Sequence, residues 1–175
     1  AAEIILAIEA IAKKDKKNSL VATVGHVEVM PGASNVIPAD VRFSLDVRAA
    51  NDRARQEAVE AITLVARKVD KTRHVVVGVE TMLEKPVATC GARLQKAIGK
   101  AVTTVQGEPA RSLMSGAGHD GQSMAHLGEF GMIFVRCRAG ISHNPAEFVT
   151  IDDMGLAVEA LVETILELAR QEEQP

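Results

Sequence analysis

Val41-Arg42-Phe43-Ser44-Leu45-Asp46-Val47-Arg48 alternates without a break. Val41, Phe43, Leu45 and Val47 fall on one face, and Arg42, Ser44, Asp46 and Arg48 on the other, as in a half-buried strand. Just downstream, Asn51 stands where it can cap a helix running to about Lys71, with Ala54, Ala58, Ala61, Ile62, Val65 and Val69 as its apolar stripe. Upstream, Leu20 to Met30 is rich in Val and reads as a strand, followed by the turn-forming Pro31-Gly32-Ala33-Ser34-Asn35. Residues 2 to 13 place Ile4, Ile5, Ala7, Ile8, Ile11 and Ala12 on one helical stripe. His74 to Leu83, with Val75, Val77, Val79 and Thr81 on one side, reads as a further strand. The order helix, strand, strand, helix, strand is a ferredoxin-like sandwich without its first strand. The chain also opens Ala1-Ala2-Glu3-Ile4 with no initiator Met and already in helical register. Both features lead us to expect a processed or truncated chain with sequence upstream.

Glu84-Lys85-Pro86-Val87 marks a change of pattern, and we place a domain boundary there: 1–86 and 87–175. Gly91 to Val105 reads as a helix with Leu94, Ala97, Ile98, Ala101, Val102 and Val105 inward. Ala110 to Met114 is expected to be a short strand and Gln122 to Leu127 a short helix. Gly131 to Cys137 is a continuous apolar run, expected as a buried, parallel strand. Thr150, with Asp153 three residues on, resembles a capping box for a last helix burying Met154, Ala157, Leu161, Ile165 and Leu168. The polar tail from Gln171 is expected to fray. This half reads as part of an α/β layer structure, one piece of a larger domain.

Composition narrows the function class. The chain has 175 residues, 47% hydrophobic and 25% charged, as in soluble globular proteins. Aromatic residues make up only 2%, so Val, Ile, Leu, Ala and Met must build the core. A net charge of −3 argues against nucleic acid as a partner. No apolar run is long enough for a bilayer, so no membrane partner is expected. Cys90 and Cys137 lie far apart in the sequence and outside any metal-type spacing; they read as reduced thiols of a cytoplasmic protein.

Two loops stand out for chemistry. Ser115-Gly116-Ala117-Gly118-His119-Asp120-Gly121 and Gly140-Ile141-Ser142-His143-Asn144-Pro145 each set a histidine in a glycine-bearing loop after an apolar run. His143 beside Asn144-Pro145 suits a metal ligand or a general base, or else a loop histidine bonded to backbone. His119 follows two glycines whose backbone can approach a ligand closely, and its imidazole could stabilise an oxyanion. Asp120 could orient it or cap the next helix. Arg48 ends its strand on the polar face, where its fork could grip a carboxylate or simply be solvated. Asn35 is by default a turn residue. A complete metal site needs at least three protein ligands, and no His-x-Asp, His-x-x-x-His or Glu-Glu beside a histidine supplies them.

Four stretches in order carry a resemblance: Gly32-Ala33-Ser34-Asn35-Val36-Ile37-Pro38, Phe43 to Arg48, Ser115 to Asp120, and Gly140 to Glu147. With these the chain resembles the M20-type amidohydrolases, the group of allantoate amidohydrolase, N-carbamoyl-L-amino-acid hydrolase and the related ureidoglycolate and β-ureidopropionate enzymes. The resemblance covers essentially the whole chain. It implies a catalytic α/β domain, metallopeptidase-like, that binds two divalent metals (zinc or manganese), and an inserted ferredoxin-like lid that carries a homodimer contact. Residues 1–86 would be the lid without its first strand, and 87–175 the C-terminal part of the catalytic domain. By the same likeness His143 matches a metal ligand, the only one present here. Asn35 and Arg48 match lid residues that hold the substrate carboxylate, often in the partner subunit's site. Gly118 matches a substrate-contacting glycine, and His119 a histidine that binds substrate or steadies the tetrahedral intermediate. The implied reaction is attack of metal-activated water on a ureido or amide carbon of a small carbamoyl acid. The alternatives are a truncated, inactive fragment that dimerises or binds ligand, and one half of a split enzyme.

Overall fold

The computed structural model describes residues 1–172. The architecture is α+β: helices with small antiparallel sheets. The chain divides into two compact units, Ala1–Val87 and Ala88–Pro175.

In the first unit, helix α1 (Ala2–Lys14) is followed by β1 (Val21–Thr23), β2 (Val27–Met30), β3 (Asp40–Phe43), β4 (Asp46–Arg48) and helix α2 (Asp52–Arg73). Each of the two strands expected from the sequence is thus divided. β1 pairs antiparallel with β4, Val21 opposite Arg48, and β2 pairs antiparallel with β3, Val27 opposite Phe43. Between the two ladders lie Val24-Gly25-His26 on one side and only Ser44-Leu45 on the other. The hairpin therefore carries one extra residue, a bulge. The Ser44 hydroxyl accepts the His26 N–H at 3.1 Å, and the Ser44 N–H donates to the His26 carbonyl at 3.1 Å, so the irregular backbone is satisfied locally.

The bulge sets side-chain parity. Ala22 and Val24 share a face with Leu45 and Val47; beyond the extra residue, Val27 and Val29 stand opposite Phe43 and Val41. The expected alternation along 41–48 holds, with each apolar residue half-buried and each polar one exposed. Ile4 and Ile8 of α1 meet Ile62, Ala66 and Val69 of α2, and Ala22, Val24, Phe43, Leu45 and Val47 pack against this cluster. α2 starts as expected: the Asn51 side chain accepts the Ala54 N–H at 2.9 Å. It runs on to Arg73 and ends at His74, which takes a left-handed conformation (φ 55°) as the C-cap.

His74 to Leu83 is not a strand in this structure. Only Val77 reaches the core cluster, Val76 is 98% exposed, and no ladder pairs the segment among the described residues. A strand needs a hydrogen-bonded neighbour as well as alternation. What ties the later part of this stretch to α2 is charge. Arg55 Nη2 donates to Glu84 at 2.8 Å and to Asp52 at 3.1 Å, and the Asp52 carboxylate accepts the Val87 N–H. Glu84 and Asp52 hold the Arg55 guanidinium above its ordinary range.

The second unit is built on α3 (Ala92–Gln106) and α5 (Ile151–Glu172), with a short α4 (Gly121–Met124) and a 3-10 turn at Arg138–Gly140 between them. α3 faces inward as expected, Ala97 and Ala101 being buried. α5 begins with its cap in place: Asp153 N–H donates to Thr150 Oγ1 at 3.0 Å and Thr150 Oγ1–H to Asp153 at 2.7 Å. Its buried face differs from expectation. Ala160 and Thr164 are buried, Thr164 Oγ1 donating to the Ala160 carbonyl, while Met154, Leu161 and Ile165 are about half exposed. Small side chains on both helices let their backbones approach, and Lys100 pairs with Glu167 at 2.8 Å beside the crossing. The larger apolar stripe of α5 is turned away. α5 continues through Glu172; the rest of the polar tail lies outside the described residues.

Ala110–Met114 and Gly131–Cys137 are also not strands here. Phe134 is 50% exposed, Leu113 65%, and neither segment has a ladder among the described residues. A parallel strand takes its ladder from neighbouring strands and its cover from both faces. The residue run was suited to such a place, but these residues supply neither. Gly131 nonetheless lies hard against α3: a Cβ there would sit 2.7 Å from Ile98 Cδ1 and 3.3 Å from Leu94 Cβ.

Gly131→Ala is expected to destabilise the second unit by about 1–3 kcal/mol through this overlap. Gly99→Ala, in open space within α3, is expected to stabilise it by about 0.5–1 kcal/mol. Urea denaturation of the two variants checks the opposite signs.

Candidate functional site

The five candidate residues fall into four places. Asn35 lies in the loop between β2 and β3, which the Ala39 N–H closes on the Met30 carbonyl at 2.9 Å. It is exposed, just before the end of a turn made by Val36 N–H on the Ala33 carbonyl. Arg48 ends β4, at the other end of the hairpin. Asp40 and Arg48 bound eight residue steps of extended chain, roughly 26 Å at the strand rise. The fold of one protomer places these two candidates at opposite ends of the ladder.

The Arg48 fork is also engaged. Nε donates to Asp46 Oδ1 at 2.7 Å and Nη2 to Oδ2 at 3.0 Å, a bidentate pair between residues that share a strand face. Arg48 holds the Asp46 carboxyl below the usual carboxylate range, and Asp46 raises Arg48. Any incoming carboxylate would therefore meet an arginine already held in place. Asp46 was not singled out on the sequence, although the i, i+2 spacing on one strand face was the available signal.

Gly118 and His119 are exposed in the loop before α4. His119 Nε2 lies 2.5 Å from Ser115 Oγ, and its ring meets Phe134 edge-on, centroids 6.2 Å apart. Ser115 Oγ also accepts the Ala117 N–H at 3.2 Å. The loop is thus stitched through the Ser115 hydroxyl. Asp120 neither orients His119 nor caps α4 with its side chain; its backbone carbonyl receives Ser123 and Met124 N–H, each at 2.9 Å.

His143 adopts a left-handed backbone conformation, φ 56°. This region is costly for a side-chain-bearing residue unless its surroundings impose it. Here Glu147 Oε2 accepts the His143 N–H at 2.9 Å, Asn144 Oδ1 accepts the Ala146 N–H at 2.9 Å, and the Asn144 carbonyl accepts the Glu147 N–H at 2.9 Å. Glu147 is therefore a brace for His143, four residues on. Its ring has no hydrogen-bond partner among the described residues, so both nitrogens remain available. Among those residues no group of three or more His, Cys, Asp and Glu stands together as a metal site. His143 alone does not fit a complete metal centre, whose further donors would have to come from elsewhere. No helix among the described residues is long and apolar enough to cross a membrane. Cys90 and Cys137 are unpaired.

Residues 4–167 match the peptidase family M20/M25/M40. The chain belongs to that family. It is 37% identical to an allantoate deiminase of Arabidopsis thaliana, over 93% of this chain and 36% of the relative. It is 38% identical to an N-carbamoyl-L-amino acid amidohydrolase of Geobacillus stearothermophilus, over 98% of this chain and 41% of the relative. Among solved structures, an amidase of the hydantoinase/carbamoylase family from Burkholderia multivorans superposes with a TM-score of 0.84 at 28% identity, over 95% of this chain and 40% of that one. The structure of AtUAH in complex with (S)-hydroxyglycine gives 0.82 at 30% identity, over 95% and 40%. The chain thus spans about two-fifths of the length of these relatives.

Glu147→Ala is expected to speed amide exchange at His143 by roughly fivefold to tenfold, the loss of a bond worth about 1 kcal/mol. Hydrogen-exchange NMR reads this directly. The Asp46 carboxyl should titrate below an ordinary aspartate and move up in Arg48→Gln, followed by carboxyl 13C shifts. Its lowered pKa contributes stability above the ordinary aspartate value, lost as pH falls through the lowered one. Because both side chains are about half exposed, the contribution is small, under about 1 kcal/mol.

Proposed function

We propose that this chain is a portion of a metal-dependent amidohydrolase that cleaves the carbamoyl or ureido C–N bond of allantoate or an N-carbamoyl amino acid. The observation that carries the reading is the match, over 93% and 98% of this chain, to relatives named for those two substrate classes. In this reading residues 1–86 are a ferredoxin-like dimerisation lid lacking its first strand, and residues 87–175 the C-terminal part of an α/β catalytic domain. The protein acts in the cytoplasm as a homodimer.

The roles follow residue by residue. His143 is one ligand of a site for two divalent metals, zinc or manganese; such a centre supplies Lewis acidity toward water and carbonyl oxygen when bound. The left-handed backbone held by Glu147 fixes where its imidazole begins. Gly118 lets the substrate approach the loop backbone, and His119 donates a hydrogen bond to the carbonyl oxygen as it gains charge. Asn35 and Arg48 hold the substrate carboxylate, Arg48 being pre-aimed by Asp46. Their placement at opposite ends of one hairpin favours a site that takes one of the two from each protomer.

A second reading has its own support. Met154, Val158, Leu161, Val162 and Ile165 leave an apolar stripe about half exposed along α5, larger than isolated surface residues require. This favours a chain completed by further catalytic-domain sequence, whether on the same polypeptide or as the other half of a split enzyme, over a free-standing inactive fragment.

Grafting this chain in place of the matching segment of the Geobacillus relative tests the reading. The folded, metal-loaded chimera is expected to release ammonia or carbamate products from an N-carbamoyl amino acid or allantoate, and His143→Ala to abolish this. Arg48→Ala is expected to raise the substrate KM, by about 2–5 kcal/mol in binding if the pair is desolvated. A folded, metal-loaded chimera inert toward every such substrate contradicts the assignment, and an unchanged KM rejects the Arg48 role.

A further inference from the structure

We propose that Arg138 and Phe148 are positioning residues that close the loop of residues 139–147 at its neck and so hold the His143 turn in place. The closure concerns the chain alone; its bearing on catalysis rests on the hydrolase reading above.

The neck is tied at two levels. The Arg138 N–H donates to the Phe148 carbonyl at 2.8 Å, and the Arg138 guanidinium carbon lies 4.3 Å from the centre of the Phe148 ring. One pair of residues thus joins the two arms by backbone and by side chain, the second contact being a cation over an aromatic face. Two residues earlier, Arg136 Nη2 meets Asp153 Oδ1 at 2.9 Å. Asp153 is itself fixed in the Thr150 cap that starts α5. The arm entering the loop is therefore pinned to the arm leaving it, and through Asp153 to the first turn of a long helix. A short surface loop with its ends held together can keep one shape without a core of its own.

Inside the neck are two separate turns. The Gly140 N–H donates to the Cys137 carbonyl at 3.1 Å and the Ile141 N–H to the Arg138 carbonyl at 3.2 Å, around Ala139 and Gly140 in left-handed conformations of φ 55° and 68°. The second turn runs from His143, φ 56°, to Glu147, whose Oε2 accepts the His143 N–H at 2.9 Å. Among the described residues no hydrogen bond joins one turn to the other. Left-handed residues that bear side chains persist only where their surroundings hold them. The hydrogen bonds of the His143 turn are internal to it, so they set its shape and not its place. Its place is set by the chain at either end, and the neck fixes both ends at once.

The test is NMR of the labelled 175-residue chain, reading amide exchange at Arg138 and the 1H–15N heteronuclear NOE over residues 139–147. Phe148→Leu keeps the carbonyl and removes the ring; it is expected to speed Arg138 exchange roughly twofold to fivefold and to lower the NOE across the loop. Arg138→Gln is expected to loosen the loop in the same way, and Phe148→Tyr, which keeps the ring, to match the wild type. An unchanged loop in both Phe148→Leu and Arg138→Gln overturns the proposal. Loosening that spreads through α3 and α5 also overturns it, because the pair would then be a general support of the unit. In the chimera, Phe148→Leu is expected to lower kcat roughly twofold to fivefold with KM unchanged, and Phe148→Tyr to recover it. An unchanged kcat overturns the catalytic role of the neck. A folded wild-type chimera without activity overturns the hydrolase reading instead, and the exchange and NOE results still decide the closure.

Discussion

Val24-Gly25-His26 cover on one strand the length that Ser44-Leu45 cover on the other, and the side-chain parity of the hairpin in the first unit depends on that mismatch. Antiparallel partners share a face, so without the extra residue either Ala22 and Val24 or Val27 and Val29 would turn from the side that Phe43, Leu45 and Val47 present to the helices. With it, Ala22, Val24, Phe43, Leu45 and Val47 pack against the Ile4, Ile8, Ile62, Ala66 and Val69 cluster, and Val27 and Val29 extend the same face beyond it, largely exposed. The Ser44 hydroxyl meets the backbone N–H that the bulge would otherwise leave unpaired. The same length of ladder separates Asn35 from Arg48, so the fold of the hairpin decides which candidates one protomer can bring together.

The second unit works by closeness rather than by bulk. Ala97, Ala101, Ala160 and Thr164 fill the crossing of α3 and α5, and Gly131 admits the segment before the His143 loop against Leu94 and Ile98. The loops that carry the candidate histidines depend on short-range bonds: Ser115 to His119, and Glu147 to the His143 backbone, each four residues apart. Such braces let a loop keep a chemical group in place without help from a large core. They also explain how His143 sustains a left-handed conformation that an unbraced loop would relax.

Periodicity made the helices legible. α1, α2 and α3 lie where their stripes placed them, and the Asn51 and Thr150 caps are as expected, because each depends only on residues within a turn. The 41–48 face was equally plain. Hidden were features set by pairing rather than pattern: the bulge, the missing ladders at 74–83, 110–114 and 131–137, and the face α5 buries. An apolar alternation states that a segment could sit in a sheet but not that a neighbour is present to receive its hydrogen bonds. At the site, the histidines and Arg48 were visible by type, whereas their partners Ser115, Asp46 and Glu147 were ordinary polar residues that gain meaning only from distances.

The central proposal is that Gly118 and His119 would face substrate and His143 would supply one metal-binding imidazole, while the described residues hold no cluster of donors that would complete a metal centre. Turnover of allantoate and N-carbamoyl amino acids by the purified 175-residue chain, with zinc or manganese supplied, tests it most directly. The account predicts no ammonia release above the metal-only background. Metal-dependent turnover by the chain alone, lost in His143→Ala, would contradict it.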